Sequence, residues 1–217
     1  MPPIRIAAPD DTHRKHAEMT ENDTDVIDAL AGVTPGSALD AARARRQVAR
    51  SHAQASYRAL LLPEDPATVS IAERFAVAAY VAGLHRAAAT SDHYAAGLAA
   101  HGGAALAATV AQAVTETMSD GPSGHYPPGP LSVEDTPAPV FALSAPVAAA
   151  LGPKLEAAFA HAHYLVFHPR DASADRFPPL MAAGWTEDGI VTLSQLVSFL
   201  AFQIRVVAGF AVLAATP

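Results

Sequence analysis

Glu73, His85 and His93 are side chains suited to moving protons, a carboxylate and two imidazoles whose charge changes readily near neutral pH. Glu73 stands three residues after Ser70, and this S-x-x-E pattern reads as a capping box that puts the carboxylate in the first turn of a helix. On a straight helix rising ~1.5 Å per residue, Glu73 and His85 lie about 18 Å apart, so they share a site only if the chain bends at Gly83. The same residues also have a plain structural reading, with Glu73 as a cap and the histidines at a subunit seam. A second group, His161, Tyr164 and His168, recurs at offsets of three and seven along one helical face, with His163 turned away. Histidines seven apart on a helix stand about 10 Å apart and cannot reach one ion at ~2.0–2.1 Å without further ligands, so no metal site is expected. His125 lies in a Pro-rich stretch and reads either as part of a lid or as an exposed loop residue.

Arg205 interrupts the most apolar stretch of the chain, Ile190 to Ala215, which also carries Gln195 and Gln203. Gln195, Ser198, Phe202 and Arg205 follow one another at helical spacing. A guanidinium within such a run is expected to find a carboxylate, a carbonyl or a ligand anion, because leaving a charge unpaired in the interior is costly. If a small acid is the ligand, Arg205 is the group to hold its carboxylate. Gln195 and Tyr80 complete the candidate substrate-binding set. A mid-membrane arginine costs roughly 2.5–3.5 kcal/mol, so the stretch reads as a buried core helix and not as a membrane span.

Composition removes whole classes of chemistry. The sequence contains no cysteine, which excludes thiolate nucleophiles, CxxC redox pairs, disulfides and cysteine-ligated metals. The formal charge of -7 argues against a nucleic-acid partner, which needs a basic stripe; the one basic cluster, Arg43, Arg45, Arg46 and Arg50, sits beside Asp40 and reads as a solvated helix face. No apolar run of signal-peptide length opens the chain, so residues 1–21 read as a polar leader and cytoplasmic residence is expected. The Ala-rich 51% hydrophobic content, without alternating Val/Ile/Thr runs, points to an all-α domain.

The elements that must position these residues follow from local signals. A short helix over Asp25–Ala31 ends at Thr34-Pro35-Gly36, and Ser37 caps a second that continues to about Leu62. Pro63 and Pro66 end it before the Ser70 helix. Thr90-Ser91-Asp92 offers caps for another helix, closed by Gly102-Gly103, and one more spans Ala104 to Met118. Residues 119–139 are rich in Gly and Pro and form a linker between two halves, about 22–118 and 140–215, of a single domain. The second half holds a helix through Leu155, Phe159 and Val166, a short one stopped by Gly184, and a Thr186-capped long helix with apolar residues from Ile190 to Ala211 at 3–4 spacing.

Two segments carry a resemblance. Ser70-Ile-Ala-Glu-Arg-Phe-Ala-Val-Ala-Ala-Tyr-Val-Ala-Gly-Leu-His85 and the run from Leu180 through Ala183-Gly184-Trp185-Thr186 to Gly209 are similar to the Glu-bearing helix and the closing turn and helix of the AhpD-like superfamily of alkylhydroperoxidase and carboxymuconolactone decarboxylase (CMD) proteins. The likeness covers about Asp25 to Leu213 and is narrowest to two-repeat members that lack cysteine. It implies an AhpD-like fold of two related helical halves, and a homo-oligomer. Aligned from Glu73, the family's two catalytic cysteines fall on His85 and Ala88, and its relay histidine on Asp92, beside His93. Both sulfurs are absent, so thiol peroxidase activity is not expected. The resemblance implies instead a thiol-independent acid–base enzyme, a lyase or isomerase, using Glu73, His85 and His93 on a small organic acid or lactone without a cofactor. The alternatives are a non-catalytic binding or assembly protein on the same scaffold, and an antioxidant protein with a non-cysteine centre.

Overall fold

A computed structural model describes residues 24–215, and the expected leader lies outside them. The described residues contain nine α-helices: α1 Val26–Ala31, α2 Ala38–Ala44, α3 Gln47–Leu61, α4 Ile71–Leu84, α5 Ala88–Gly102, α6 Ala104–Thr117, α7 Ala145–Phe167, α8 Phe177–Ala182 and α9 Glu187–Ala215. The described residues contain no strand beyond one isolated antiparallel bridge, Gly124 to Thr136. The fold is all-α.

α4 is the centre of the bundle. Its Ala-rich sequence lets helices approach on every side, and α5, α6, α7 and α9 all pack against it. Phe75, Val77, Tyr80 and Val81 are buried there beside Phe159 of α7 and Leu193 and Leu200 of α9, so one continuous core draws on the chain both before and after the linker. α1 and α3 also pack on α9.

The local capping signals are used. Ser70 Oγ accepts from the Glu73 N–H at 3.3 Å and the Glu73 carboxylate accepts from the Ser70 N–H at 2.8 Å, a complete capping box on α4. Ser37 caps α2 and Thr186 Oγ1 accepts from the Gly189 N–H at the start of α9. Gly103, at φ +86°, takes the left-handed turn between α5 and α6.

Four local expectations are corrected. The helix expected from Ser37 to Leu62 is two helices, divided at Arg45–Arg46, and Arg43 and Arg50 on either side of the break converge on Asp28. α5 starts at Ala88, so Thr90-Ser91-Asp92 lies inside it and Thr90 is buried instead of capping. Gly83 does not bend α4; a Cβ there would stand 2.7 Å from Val114 Cγ2, so the glycine serves the close approach of α6. The chain turns three residues later, at Arg86, whose φ is +55°. Finally, α9 is a core helix along one face only, with buried positions from Gly189 to Val207 and exposed ones beyond, including Val212 and Leu213. It is the one helix among the described residues long and apolar enough, by length and composition, to cross a membrane.

The linker is held in place despite its composition. Ser123 N–H donates to the Phe167 carbonyl at 2.6 Å, and His125 N–H donates to Asp171 Oδ1 at 2.8 Å, so its first residues lie against the end of α7.

Candidate functional site

A cavity of about 630 Å³ opens where the C-terminal end of α4, the start of the linker, the end of α7 and the middle of α9 meet. His85 borders it as the residue that closes α4, with Arg86 beside it, Ser119 and Asp120 from the linker, Val166 and Phe167 from α7, and Val197, Ser198 and Arg205 from α9. Its size suits a small molecule, with apolar walls and a few converging polar groups.

The electrostatics of His85 follow from this position. A helix C-terminus favours an imidazolium. Burial acts the other way and is the larger influence, and the Arg205 guanidinium adds repulsion, so the proton affinity of His85 is pushed below the ordinary histidine range. The ring is therefore neutral at pH 7, able to take up a proton, and its Nε2 is buried with no hydrogen-bond partner. An unpartnered buried nitrogen costs roughly 1–3 kcal/mol, a penalty native cores seldom carry away from functional places.

Arg205 departs from its expected condition. It is exposed and not embedded in the core, and its Nη1 donates to its own helix at the Ala201 carbonyl, 2.7 Å away. Residues spaced like Arg205 lie on the outer side of α9, so the charge escapes burial by reaching the cavity mouth. Arg86 and Asp120, which also line the cavity, pair with each other at 3.0 Å and are exposed.

The other expected site residues lie elsewhere. Glu73 sits at the far end of α4, about 18 Å from His85 at ~1.5 Å per residue, because the helix is unbroken between them. There it pairs with Lys154 at 2.7 Å. Burial raises its proton affinity, but the Lys154 and Ser70 hydrogen bonds outweigh that and hold it below the usual carboxylate range. Lys154 in turn lies over the Trp185 ring at 4.9 Å, and Trp185 Nε1 donates to the Lys154 carbonyl at 2.8 Å. Glu73 thus ties α4 to α7 and to the turn before α9.

His93 is half-buried on α5, its Nε2 3.0 Å from the Tyr57 hydroxyl, and it does not line the cavity. Tyr80 is wholly buried, stacked on Phe159 with ring centroids 4.2 Å apart and bonded to Thr117 Oγ1 at 2.7 Å, so it is a core residue and not a substrate contact. Gln195 is exposed on α9 and stands outside the cavity lining. Of the six residues singled out from the sequence, the structure brings together His85 and Arg205.

The two histidines of α7, His161 and His163, and His168 just after it are buried. His163 Nε2 is 3.0 Å from the Thr117 carbonyl, while His168 faces Asp171 at 3.5 Å and His161 faces Ser194 at 3.1 Å. Among the described residues no group of three or more His, Asp or Glu side chains is arranged to hold a metal ion. His125 is exposed and pinned to Asp171, away from the cavity.

Sequence reasoning missed Arg86, Asp120 and Ser119. Their only signal was position: two follow Met118, the expected end of the sixth helix, and one follows His85. No family model matches the chain, and no curated protein matches it. The likeness to the AhpD-like superfamily therefore rests on the two segments quoted above.

Proposed function

We propose that the protein is a thiol-independent acid–base catalyst for a small organic acid or carboxylated lactone, with His85 as the proton acceptor and Arg205 as the anchor for the substrate carboxylate. The observation that carries the reading is the juxtaposition of a neutral, half-buried imidazole and an exposed guanidinium with no acidic partner among the described residues, at one cavity of small-molecule size. A general base must be deprotonated at working pH, which burial and Arg205 both favour. A bound carboxylate would offset the Arg205 field and ease uptake of the proton by His85 as the base acts. The reading agrees with the CMD side of the resemblance, but moves the chemistry to His85 and leaves Glu73 as structure. It carries no cofactor and no nucleic-acid partner, and it belongs to a cytoplasmic protein.

Deuterium incorporation next to the carboxyl or lactone carbonyl of a panel of β-keto acids and carboxylated lactones, followed by NMR in D2O, tests this. Accelerated exchange that is lost in His85→Gln, with a raised KM in Arg205→Gln, supports it. Exchange no faster than buffer across the panel, or equal in His85→Gln, sinks it. Consumption of tert-butyl hydroperoxide by the same sample would favour the alternative of a non-cysteine antioxidant centre.

A second reading has its own observation. Val191, Phe202 and Val212 are exposed along the outer side of α9, as is Leu213 beside them, and such a stripe fits assembly with a second copy of the chain. Sedimentation of the wild type against Phe202→Glu separates this from a catalytic monomer.

A further inference from the structure

Six exposed residues mark the outer side of α9: Asp188, Val191, Gln195, Ser198, Phe202 and Arg205. They are spaced 3, 4, 3, 4 and 3 residues apart, a series that reads the same in both directions, and this alternation keeps them on one face of the helix. Their chemistry is matched about the same midpoint, between Leu196 and Val197. Asp188 and Arg205 carry opposite charges at the two ends, Val191 and Phe202 are apolar inside them, and Gln195 and Ser198 are polar at the centre.

Neither charge is neutralised within the chain. Arg205 donates to the Ala201 carbonyl, and neither it nor Asp188 forms an ion pair among the described residues. About 25 Å of helix separates the two at ~1.5 Å per residue, so they cannot meet in one molecule. Ser198 Oγ donates to the Ser194 carbonyl at 2.9 Å, which leaves its lone pairs open to an amide N–H. Val191 and Phe202 are 55% and 48% exposed, on a helix whose opposite face is core.

We propose that this face is a two-fold symmetric interface, on which α9 of a second copy packs antiparallel about the Leu196–Val197 midpoint. Arg205 then meets the partner's Asp188, Phe202 packs on the partner's Val191, and Ser198 accepts from the amide of the partner's Gln195. Two-fold symmetry makes each contact occur twice. A parallel pair would set every residue against its own copy, with Arg205 facing the partner's Arg205, a repulsive contact. The pairing rests on the assembly reading given above and supplies its direction and register. At the mouth of the first cavity, the partner's carboxylate takes the place on Arg205 that the proposed catalysis gives to a substrate acid. Assembly and substrate therefore compete for one guanidinium, and only this consequence depends on the His85 reading.

Sedimentation equilibrium of the full chain at low ionic strength reads the dimer constant. Asp188→Arg and Arg205→Asp should each weaken it about tenfold, because each puts two like-charge contacts into the dimer. The combined variant rebuilds both ion pairs with the charges exchanged and should recover most of the loss. Asp188→Arg also places a cation in the first turn of α9, where it is disfavoured, so Arg205→Asp, in the helix interior, carries the single-variant comparison. The chain has no cysteine, so a nitroxide on Leu213→Cys is the sole label. The antiparallel register sets the two labels roughly 50 Å apart at ~1.5 Å per residue, whereas a parallel pair sets them about 10 Å apart, one interhelical distance. A chain that stays monomeric throughout ends the assembly reading and this one together. A dimer that ignores both charge reversals, gains nothing from combining them, or holds its labels close overturns the register and leaves assembly standing.

Discussion

Arginines occur in opposite conditions at two places in this molecule. In the corner made by α1, α2 and α3, Arg43 Nη2 and Nε each stand 2.7 Å from Asp25 and Asp28, and Arg50 bonds Asp28 and also Asp40, at 3.2 Å to the latter. Arg43 is 7% exposed and also lies over the Phe210 ring of α9 at 5.7 Å, so the network fastens the corner to the long helix. Along the α7–α9 groove, Arg205 and Arg176 instead meet a helix carbonyl and a tyrosine face, with no carboxylate among the described residues. A cation that its own chain neutralises is part of the architecture. A cation left open beside a cavity, next to a neutral histidine, is available to something else. The same reasoning separates Glu73, consumed by Lys154 and a cap, from His85, which has a buried nitrogen with no partner.

The largest expected break in this contrast is Arg43→Met. Removing Arg43 takes the ion-pair partner from Asp25 and leaves Asp28 with Arg50 alone, and should cost about 3 kcal/mol in urea unfolding. Arg205→Met should change stability by no more than ~0.5 kcal/mol, as for an exposed residue without structural partners. Equal losses for the two would erase the distinction. Glu73→Ala comes next, with an expected loss of about 1–2 kcal/mol from the cap and the Lys154 contact. Its ring resonances at His85 should not move, since the two sites stand at opposite ends of α4. A change in any turnover assigned to His85, without a change in stability, would return Glu73 to the catalytic set.

A smaller effect is spread over pH. Burial is the leading cause that lowers the proton affinity of His85, His93, His161 and His163, and no charge partner reverses it. The unfolded chain therefore binds more protons than the folded one once pH falls below the ordinary histidine value of ~6.5, and folding stability must fall with it. Stability should be flat from pH 8 to 7 and decline from about pH 6.5 downward, before the carboxylates titrate. A urea midpoint that holds steady from pH 7 to pH 5 would show that these rings are charged or solvated in the native state.

What was legible in the sequence was local. Ser70 with Glu73, Ser37, Thr186 and Gly102-Gly103 act through hydrogen bonds and dihedral angles within a few residues, and each operates where the spacing put it. What was not legible depended on distant packing. Thr90 looks like a cap until the core buries it, and Gly83 looks like a hinge until Val114 of α6 fills the space above it. The cavity is the extreme case, because its walls come from residues as far apart as His85, Asp120, Phe167 and Arg205. The two useful residues were legible for unlike reasons: Arg205 as a charge in an apolar run, His85 through the likeness to a catalytic position. Arg74 shows the limit of charge reading, since this buried arginine forms no ion pair among the described residues and instead donates to the Val69, Leu60 and Pro66 carbonyls at 2.8–3.1 Å, closing the α3–α4 loop.

The finest expected effect concerns His85 and Arg205 directly. Burial of the ring lowers its proton affinity most, and the guanidinium adds to it, so Arg205→Ala should raise the His85 pKa while leaving that of His93, on another face of the bundle, unchanged. NMR titration of the ring signals reads both in one sample. Saturating a carboxylate in the wild-type cavity should move His85 in the same direction, because a bound anion cancels the same field. The two perturbations share one cause and must not add: in Arg205→Ala the carboxylate should bind weakly and shift His85 little. Full additivity would mean that the anion sits elsewhere, and that Arg205 is an exposed cation whose nearness to the histidine has no chemical use.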